Sequence, residues 1–571
     1  MRQVLHNMDF CVIGGGMAGL CAAIAAARRG ARVILMQDRP VLGGNASSEI
    51  RMWICGAHGE NMRETGLLEE IELENLRRNP GPNYSIWDSV LYEKARFQEN
   101  LELLLNCSCL DAVMDGNRIK SVKGWQLTTE TTHIIEAKLF ADCSGDSVLA
   151  PLTGADFCVG REAREEFNEG IEPEQADNRT MGMSCLFQLR ETPEKTEFIP
   201  PAWAYKFESD EDLPQAGHGL SSNFWWIELG GDMDSIADTE ACRDELLKIA
   251  FGAWDHMKNH GDHGADNWAL DWVGFLPGKR ESRRYVGEHI LTQNDVEAGG
   301  HFDDIVGYGG WSMDDHFPAG FYYRGGHPTI YHPAPSPYGI PYRCLYSRNI
   351  ENLLFAGRNI SVTHAALSST RVMATCAILG QAVGTAAAIC VREGVIPREV
   401  CIPELQQTLL EDDCYLPWHV REMPDLTKKA ALASDAEDIE NLRNGIDRPV
   451  GNQDNGVYFS KGECATYMFS QPKDISLLRF VFDSGLNRKI KNMPCNYPLR
   501  ETRWHTPESL VKDFGVEYSG DGANFEVLVN VTGNTQRLVK LPVNVRARAL
   551  RFVPLNTWGA EQPHVFAWDA R

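Results

Sequence analysis

Three glycines near the start of the chain have the spacing to hold a phosphate. Gly14, Gly16 and Gly19 follow the apolar run 10–13 and precede the alanine-rich run 21–27, so a strand should empty through a tight turn into a good helix former. Gly14 would take the bend, Gly16 would let backbone approach a pyrophosphate, and Gly19 would let the helix close on the sheet, with Met17 and Ala18 between them. The densest cationic stretch is Lys279, Arg280, Arg283 and Arg284, four basic groups in six positions of an acidic protein. It follows an apolar strand and a Pro-Gly turn rather than lying in a long helix. Segment 314–343 is crowded with His316, Tyr322, Tyr323, Arg324, His327, Tyr331, His332 and Tyr338 among Pro and Gly, which places these side chains on loops. Such a mixture suits a hydroxylated substrate, with rings against sugar-like faces and a His or Tyr taking an alcohol proton. The alternative is a structural loop or subunit contact.

The elements that must position these groups need more than one domain, because 571 residues exceed the size at which one core stops growing. A second parallel strand is predicted over 31–36, where a dinucleotide fold usually offers a carboxylate to the ribose. This chain has Gln37, Asp38 and Arg39 there; either Gln37 or Asp38 makes that contact, or Asp38 only starts the turn before Pro40. Lys and Arg number 55 against 79 Asp and Glu, a net charge of -24, which disfavours nucleic acid and anionic membrane as partners. Helix 372–391 is apolar but reads as buried, with Gly380 and Gly384 on one face for close approach to the first helix. Sixteen cysteines without framework spacing imply buried thiols, a reducing compartment and a cytoplasmic location. No zinc or iron–sulfur ligand set is read, and no metal site is assigned.

Gly43, Gly44, Asn45, Ala46 and Ser47 follow the second strand, and together with Gly14–Gly19 they resemble the FAD-dependent oxidoreductases of the glutathione-reductase-like fold. The resemblance implies a Rossmann-like α/β FAD domain and places 43–47 beside the ribityl–pyrophosphate part of FAD. It implies a third contact segment at Asp142, Ser144 and Gly145, with Asp146 near the cofactor or capping a helix. Gly357, Arg358 and the loop-helix through Ser369 look like the C-terminal FAD motif, whose helix start would stabilise charge on the flavin. His364 in that loop is then the preferred histidine near the ring. Cys55 and His58 could reach it as acid, base or covalent attachment. The segment 280–284 is similar to the family's Arg-Glu-Ser-Arg-Arg, making Arg280 and Arg284 anchors for a carboxylate, a polyol oxygen or an anionic flavin, while Arg283 pairs with Glu281 or Asp271.

The expected domains are an FAD-binding part over 1–160, a mixed α+β substrate domain over 161–344, the FAD domain's return over 345–425 and a β-sandwich over 430–571. Residues 161–177 read as solvated surface, 181–189 and 224–229 as strands, and Trp225 and Trp226 as a core pair or a pocket platform. Short alternating runs after residue 430 predict the sandwich, which resembles galactose-binding-like, discoidin-type domains. Trp504, His505 and Trp558 would be its carbohydrate contacts; a structural or dimerising module, or calcium in its acidic turns, is equally open. The expected function is hydride transfer from a hydroxylated small molecule, carbohydrate-derived compounds included, to FAD, with His364, His58, His327, Arg280 and Arg284 at the site. The alternatives are a reductase of unsaturated carboxylic acids held by Arg280, Arg284 and Arg324, and a carbohydrate-binding protein with structural FAD. No second GxGxxG or CxxC pair supports an NAD(P)H domain or disulfide reductase, so the electron acceptor is unknown. A homo-oligomer is allowed.

Overall fold

The apolar run before the glycines is the end of β1 (Arg2–Ile13), the central strand of a seven-stranded sheet in the computed structural model, which describes residues 2–214, 219–220, 223–500 and 503–571. The first half of β1 is partly exposed and its last six residues are all buried, the pattern of a parallel strand covered on both faces. The order is β3 (Leu101–Leu104), β2 (Val33–Met36), β1, β6 (Thr131–Asp142), β5 (Arg118–Gln126), β4 (Cys107–Asp115), with β7 (Leu353–Phe355) also parallel on β6. Residues 101–104 form a parallel edge strand on β2, and the β4–β5 hairpin extends this same sheet. The length of β6 allows it: β1 pairs along the whole of one edge, while on the other edge β5 takes the first half and β7 the last residues.

Helix α1 (Met17–Arg28) leaves the glycine turn. Gly19 carries no Cβ because one would run into the carbonyl of Gly14, and Gly14 sits at φ +97° with Cys143 and Ser144 backbone against it. Between β6 and β7 lies a cap of short strands and one long helix, α2 (Thr239–Asn259), over a core that includes Phe187, Phe224, Trp226 and Trp254. The predicted strand 181–189 is two, Met183–Ser184 and Phe187–Glu191, in different small sheets, and of 224–229 only Glu228–Leu229 is extended. Residues 161–177 are largely exposed or half-exposed, as expected, with three exceptions. Glu162, Glu169 and Glu172 are buried, drawn in by cations described below.

After β7 the chain forms α3 (His364–Thr370), where a loop was expected, capped by the Thr363 hydroxyl, and then α4 (Met373–Glu393). This last helix is long and apolar enough to cross a membrane, but 94% of that window is buried in the protein. A Cβ on Gly380 or Gly384 would strike the backbone of Ala18 or Ala22, so the two glycines set how closely α4 lies on α1.

These elements belong to one compact unit, Met1–His58, Gly81–Leu405 and Lys491–Arg503; a second comprises Gly59–Pro80, Gln406–Ile490 and Trp504–Arg571. Residues 59–80 and 406–425, read from sequence with the first domain, thus pack mainly with the second unit. That unit is an antiparallel sheet of β8 (Ala465–Phe482), β9 (Val511–Ser519), β10 (Glu526–Val531), β11 (Leu538–Thr557) and β12 (His564–Ala570) with two short strands. The early part of β8 pairs with 549–552 of β11, yet the Phe480 ring near its end lies 5.0 Å from that of Phe552, tilted against it. The β8–β11 ribbon, broken by register shifts, therefore folds over its own core in two layers.

Candidate active site

The glycine turns open onto a cavity of about 580 Å³, of the size that holds a cofactor or substrate. Gly14, Gly16, Met17, Ala18, Gln37, Asp38, Arg39, Gly43, Gly44, Asn45, Ser144, Gly145, Gly357 and Arg358 line it. Four separate strand ends converge there, as expected outside the carboxyl edge of a parallel sheet. Gly16 faces nothing nearer than Gly44 Cα at 3.9 Å from where its Cβ would be, so backbone there is bare to a ligand. Gln37 spends its amide on the protein: Gly15 N–H donates to Oε1 at 2.6 Å, and Nε2 donates to the Val41 carbonyl at 3.2 Å. Exposed Asp38 is left as the carboxylate beside it.

Asp146 braces this wall. It accepts from Lys279 at 2.9 Å, Arg358 at 2.7 Å and Ser282 at 2.8 Å. Burial alone would raise its pKa, but Arg358 and Lys279 outweigh burial and hold it at about 2. Asp142, Ser47, Gly19 and Ser369 do not reach the cavity. Asp142 is fully buried and accepts from Ser144, Leu149 N–H and Tyr285, so it shapes the turn. Ser47 accepts from Glu49 N–H, and Ser369 pairs with Tyr338 and donates to the Trp311 carbonyl.

The remaining wall is made of large side chains: Met52, Trp53, Cys55, Trp225, Arg280, Trp311, Asp314 and Arg371. Trp225 and Trp226 part company, the first on the cavity and the second in the cap core. Arg280 donates to the Trp225 carbonyl at 3.0 Å and lies 3.5 Å from Glu228; Arg371 lies 3.2 Å from Asp314. His316 links the two carboxylates, 2.6 Å from Glu228 and 3.3 Å from Asp314. Burial would lift the Asp314 pKa, but His316 and Arg371 hold it well below the usual carboxylate range. Burial pushes the Cys55 thiol up to about 11, so it is no ready nucleophile. Arg39, Lys279, Arg280, Arg358 and Arg371 face Asp38, Asp146, Glu240 and Asp314 across the whole cavity, a cationic surplus in a protein of net charge -24. Val372, Met373 and Cys376 add the first turn of α4, the positive end of a 21-residue helix.

Four expected catalytic residues lie off this wall. Arg284 is fully buried; it pairs with Glu162 at 2.5 Å and with Glu281, and donates to the carbonyls of Gly160 and Val362. His364 is buried between Glu281 at 2.9 Å and Asp315 at 3.2 Å. Burial would discharge its ring, yet the two carboxylates hold it protonated, its pKa well above the ordinary value. Both are structural counter-ions for the buried carboxylates of the cap. His58 stacks on Trp311 with centroids 4.2 Å apart, and His327 sits 5.7 Å from Trp225. Arg324, exposed, donates to Phe321 and Asp212 carbonyls instead of facing the cavity. Sequence reasoning missed Arg371, Asp314, Trp311, Trp53 and Lys279 as wall residues; Arg371, a lone charge just before an apolar helix, was the findable one.

The glycine cradle and the paired cations fit a dinucleotide, and Trp311 Nε1 and Arg371 Nε are buried donors on the wall with no protein acceptor among the described residues. Comparison with known families agrees. Residues 9–409 match the model for FAD dependent oxidoreductase. Similar solved structures include the family 32 carbohydrate-binding module of Streptococcus pneumoniae EndoD, 14% identical over 25% of this chain and 94% of that one, TM-score 0.19. They also include the OxyS anhydrotetracycline hydroxylase from Streptomyces rimosus, 12% identical over 70% and 64%, TM-score 0.34. A geranylgeranyl bacteriochlorophyll reductase-like protein from Thermoplasma acidophilum is 11% identical over 72% and 85%, TM-score 0.31. The family model spans well over half the chain, and the protein belongs to the FAD dependent oxidoreductase family: it is an FAD-dependent oxidoreductase.

Proposed function

We propose that this enzyme oxidises a hydroxylated small molecule that carries an acid group, a sugar acid being the type. The observation that supports the reading most is the pair Arg280 and Arg371 on the same wall as Trp53, Trp225 and Trp311. Indole faces suit the apolar faces of a sugar ring, and two guanidinium groups suit a carboxylate. FAD, when bound, supplies two-electron redox chemistry. Arg280 and Arg371 bind and orient the acid group, while Glu228, His316 and Asp314 fix the two guanidinium groups in place. Among the described residues no histidine lines the cavity, so the alcohol proton leaves through water. His58, stacked on Trp311 off the lining, has its pKa lowered below the ordinary imidazole value by burial, with Lys491 nearby, and is a neutral acceptor beyond that wall.

The reading of the fold as glutathione-reductase-like rests on the β1 glycine turn, the 43–47 loop and the return at 357. The second unit we assign as a carbohydrate-binding β-sandwich. Its support is a cavity of about 720 Å³ lined by His505, by Tyr458 and His564 stacked 4.0 Å apart, and by Asp454 and Asp483. Trp558 is only 38% exposed, and its indole donates to Asn534.

Anaerobic titration of the holoenzyme tests the main reading. Bleaching of the oxidised flavin band by a sugar acid is expected. The second reading, reduction of an unsaturated carboxylic acid, uses the same two arginines, although Arg284 and Arg324 do not join them. Reoxidation of dithionite-reduced enzyme by such an acid, with no sugar acid bleaching the band, would put it first.

A further inference from the structure

Away from the cavity, the cap gathers another set of metal-ligating side chains: Asp210 from the helical turn Asp210–Asp212, His256 from α2, and His263 from the loop that follows α2. One carboxylate oxygen and two ring nitrogens lie within 4.8 Å of one another. His256 Nε2 is 2.9 Å from Asp210 Oδ1, and His263 Nε2 is 3.4 Å from the same oxygen. Around a tetrahedral zinc ion with bonds of about 2.0–2.1 Å, neighbouring ligand atoms stand about 3.3 Å apart. The two separations from Asp210, 2.9 and 3.4 Å, bracket that value.

The hydrogen bond on the far side of His256 sharpens the case. Its Nδ1 is 2.9 Å from the Phe207 carbonyl oxygen, which can only accept, so Nδ1 carries the hydrogen. Its Nε2, the other ring nitrogen, then turns toward the Asp210 oxygen with its orientation fixed, and the second ring stands 4.9 Å away between centroids. A metal ion would take all three ligand atoms at once, with the carbonyl holding the ring as it does for metal-bound histidine.

We propose that Asp210, His256 and His263 bind one zinc ion, with water from the exposed side of Asp210 as fourth ligand. Two imidazoles favour zinc over calcium or magnesium, which take oxygen ligands. The ion would tie the 205–214 segment and the loop after α2 to the helix, a structural staple on the cap. Sequence inspection gave no sign of it because its ligands come from three elements and match no familiar spacing.

The test uses holoenzyme dialysed against a chelator and then titrated with Zn²⁺ alone, with zinc content measured after desalting. One zinc per chain is expected, and Asp210→Asn and His263→Gln should each weaken binding at least about tenfold while flavin content stays unchanged. Zinc should raise the melting midpoint of the parent and of neither variant. Should a variant fail to fold, anomalous diffraction at the zinc edge of the parent decides: a peak among these three side chains is expected. No retained zinc, equal affinity in parent and variants, or a zinc peak elsewhere would overturn the proposal.

Discussion

The two walls of the cavity are built from opposite materials. The nucleotide wall is mostly backbone: Gly14, Gly16, Gly43, Gly44, Gly145 and Gly357 line it, and its few charges are locked to one another through Asp146. The facing wall is side chain, three tryptophans and two arginines drawn from segments as far apart as 53 and 371. A backbone surface recognises what every dinucleotide shares, so it can be written as a local motif. A side-chain surface recognises one substrate, and its members need only meet in space.

That contrast makes the substitutions separable. The largest effect belongs to Gly16→Val: the backbone is at φ -63°, open to any residue, and a Cβ there would meet only Gly44 Cα at an ordinary contact distance of 3.9 Å, so the protein should fold normally yet emerge from gel filtration without FAD. Normal flavin content in that variant would break the backbone half of the comparison. Next come Arg284→Ala and its neighbour Arg280→Ala. Removing Arg284 leaves Glu162 and Glu281 with a lost partner and should cost about 3–5 kcal/mol of stability by denaturant titration, whereas Arg280→Ala should keep a folded flavoprotein and raise KM. Equal stability losses would dissolve the distinction between a buried counter-ion and a wall residue.

Glu172 sharpens the same distinction through pH. Neither of its carboxylate oxygens has a hydrogen-bond partner among the described residues. Burial first, with Glu162 and Glu169 nearby, lifts its pKa to about 7 against the opposing pull of His364 and Arg284. An acid whose pKa is raised by folding contributes stability fully below its unfolded value near 4.5 and loses it as pH rises through 7. Glu172→Gln should therefore gain about 3 kcal/mol over the parent at pH 8 and nothing at pH 4, measured by unfolding at both. A pH-independent difference would remove the buried cluster from the account. Smallest is Arg371→Ala, expected to retain FAD and to lower kcat/KM about 10- to 100-fold, the worth of a charged hydrogen bond of about 1.5–3 kcal/mol. An unchanged value would take Arg371 out of substrate binding.

Legibility in the sequence followed the same divide. The strand–glycine–helix unit, the second parallel strand and the Gly380–Gly384 face of α4 were all readable because each is a local pattern with its own geometry. What failed was depth. Arg284 and His364 have the residue types of a catalytic pair, but charge says nothing of whether a side chain faces ligand or buried carboxylate. Here Glu162, Glu281 and Asp315, two of them from segments read as surface or loop, claim both cations. Conversely, Arg371 and Trp311 carried no motif, and only the break between α3 and α4 and the Ser369 bond to the Trp311 carbonyl bring them to the wall. Gln37 shows an intermediate case: its position was legible, but its amide is turned back onto Gly15.

The most direct test compares a sugar acid with its uncharged counterpart as reductant of the enzyme-bound flavin, under anaerobic stopped flow. The acid should bleach the oxidised band with the lower dissociation constant, and Arg371→Ala should erase that preference. Equal reduction by the neutral sugar, unaffected by the substitution, would contradict the arginine wall as the substrate's acid-binding site.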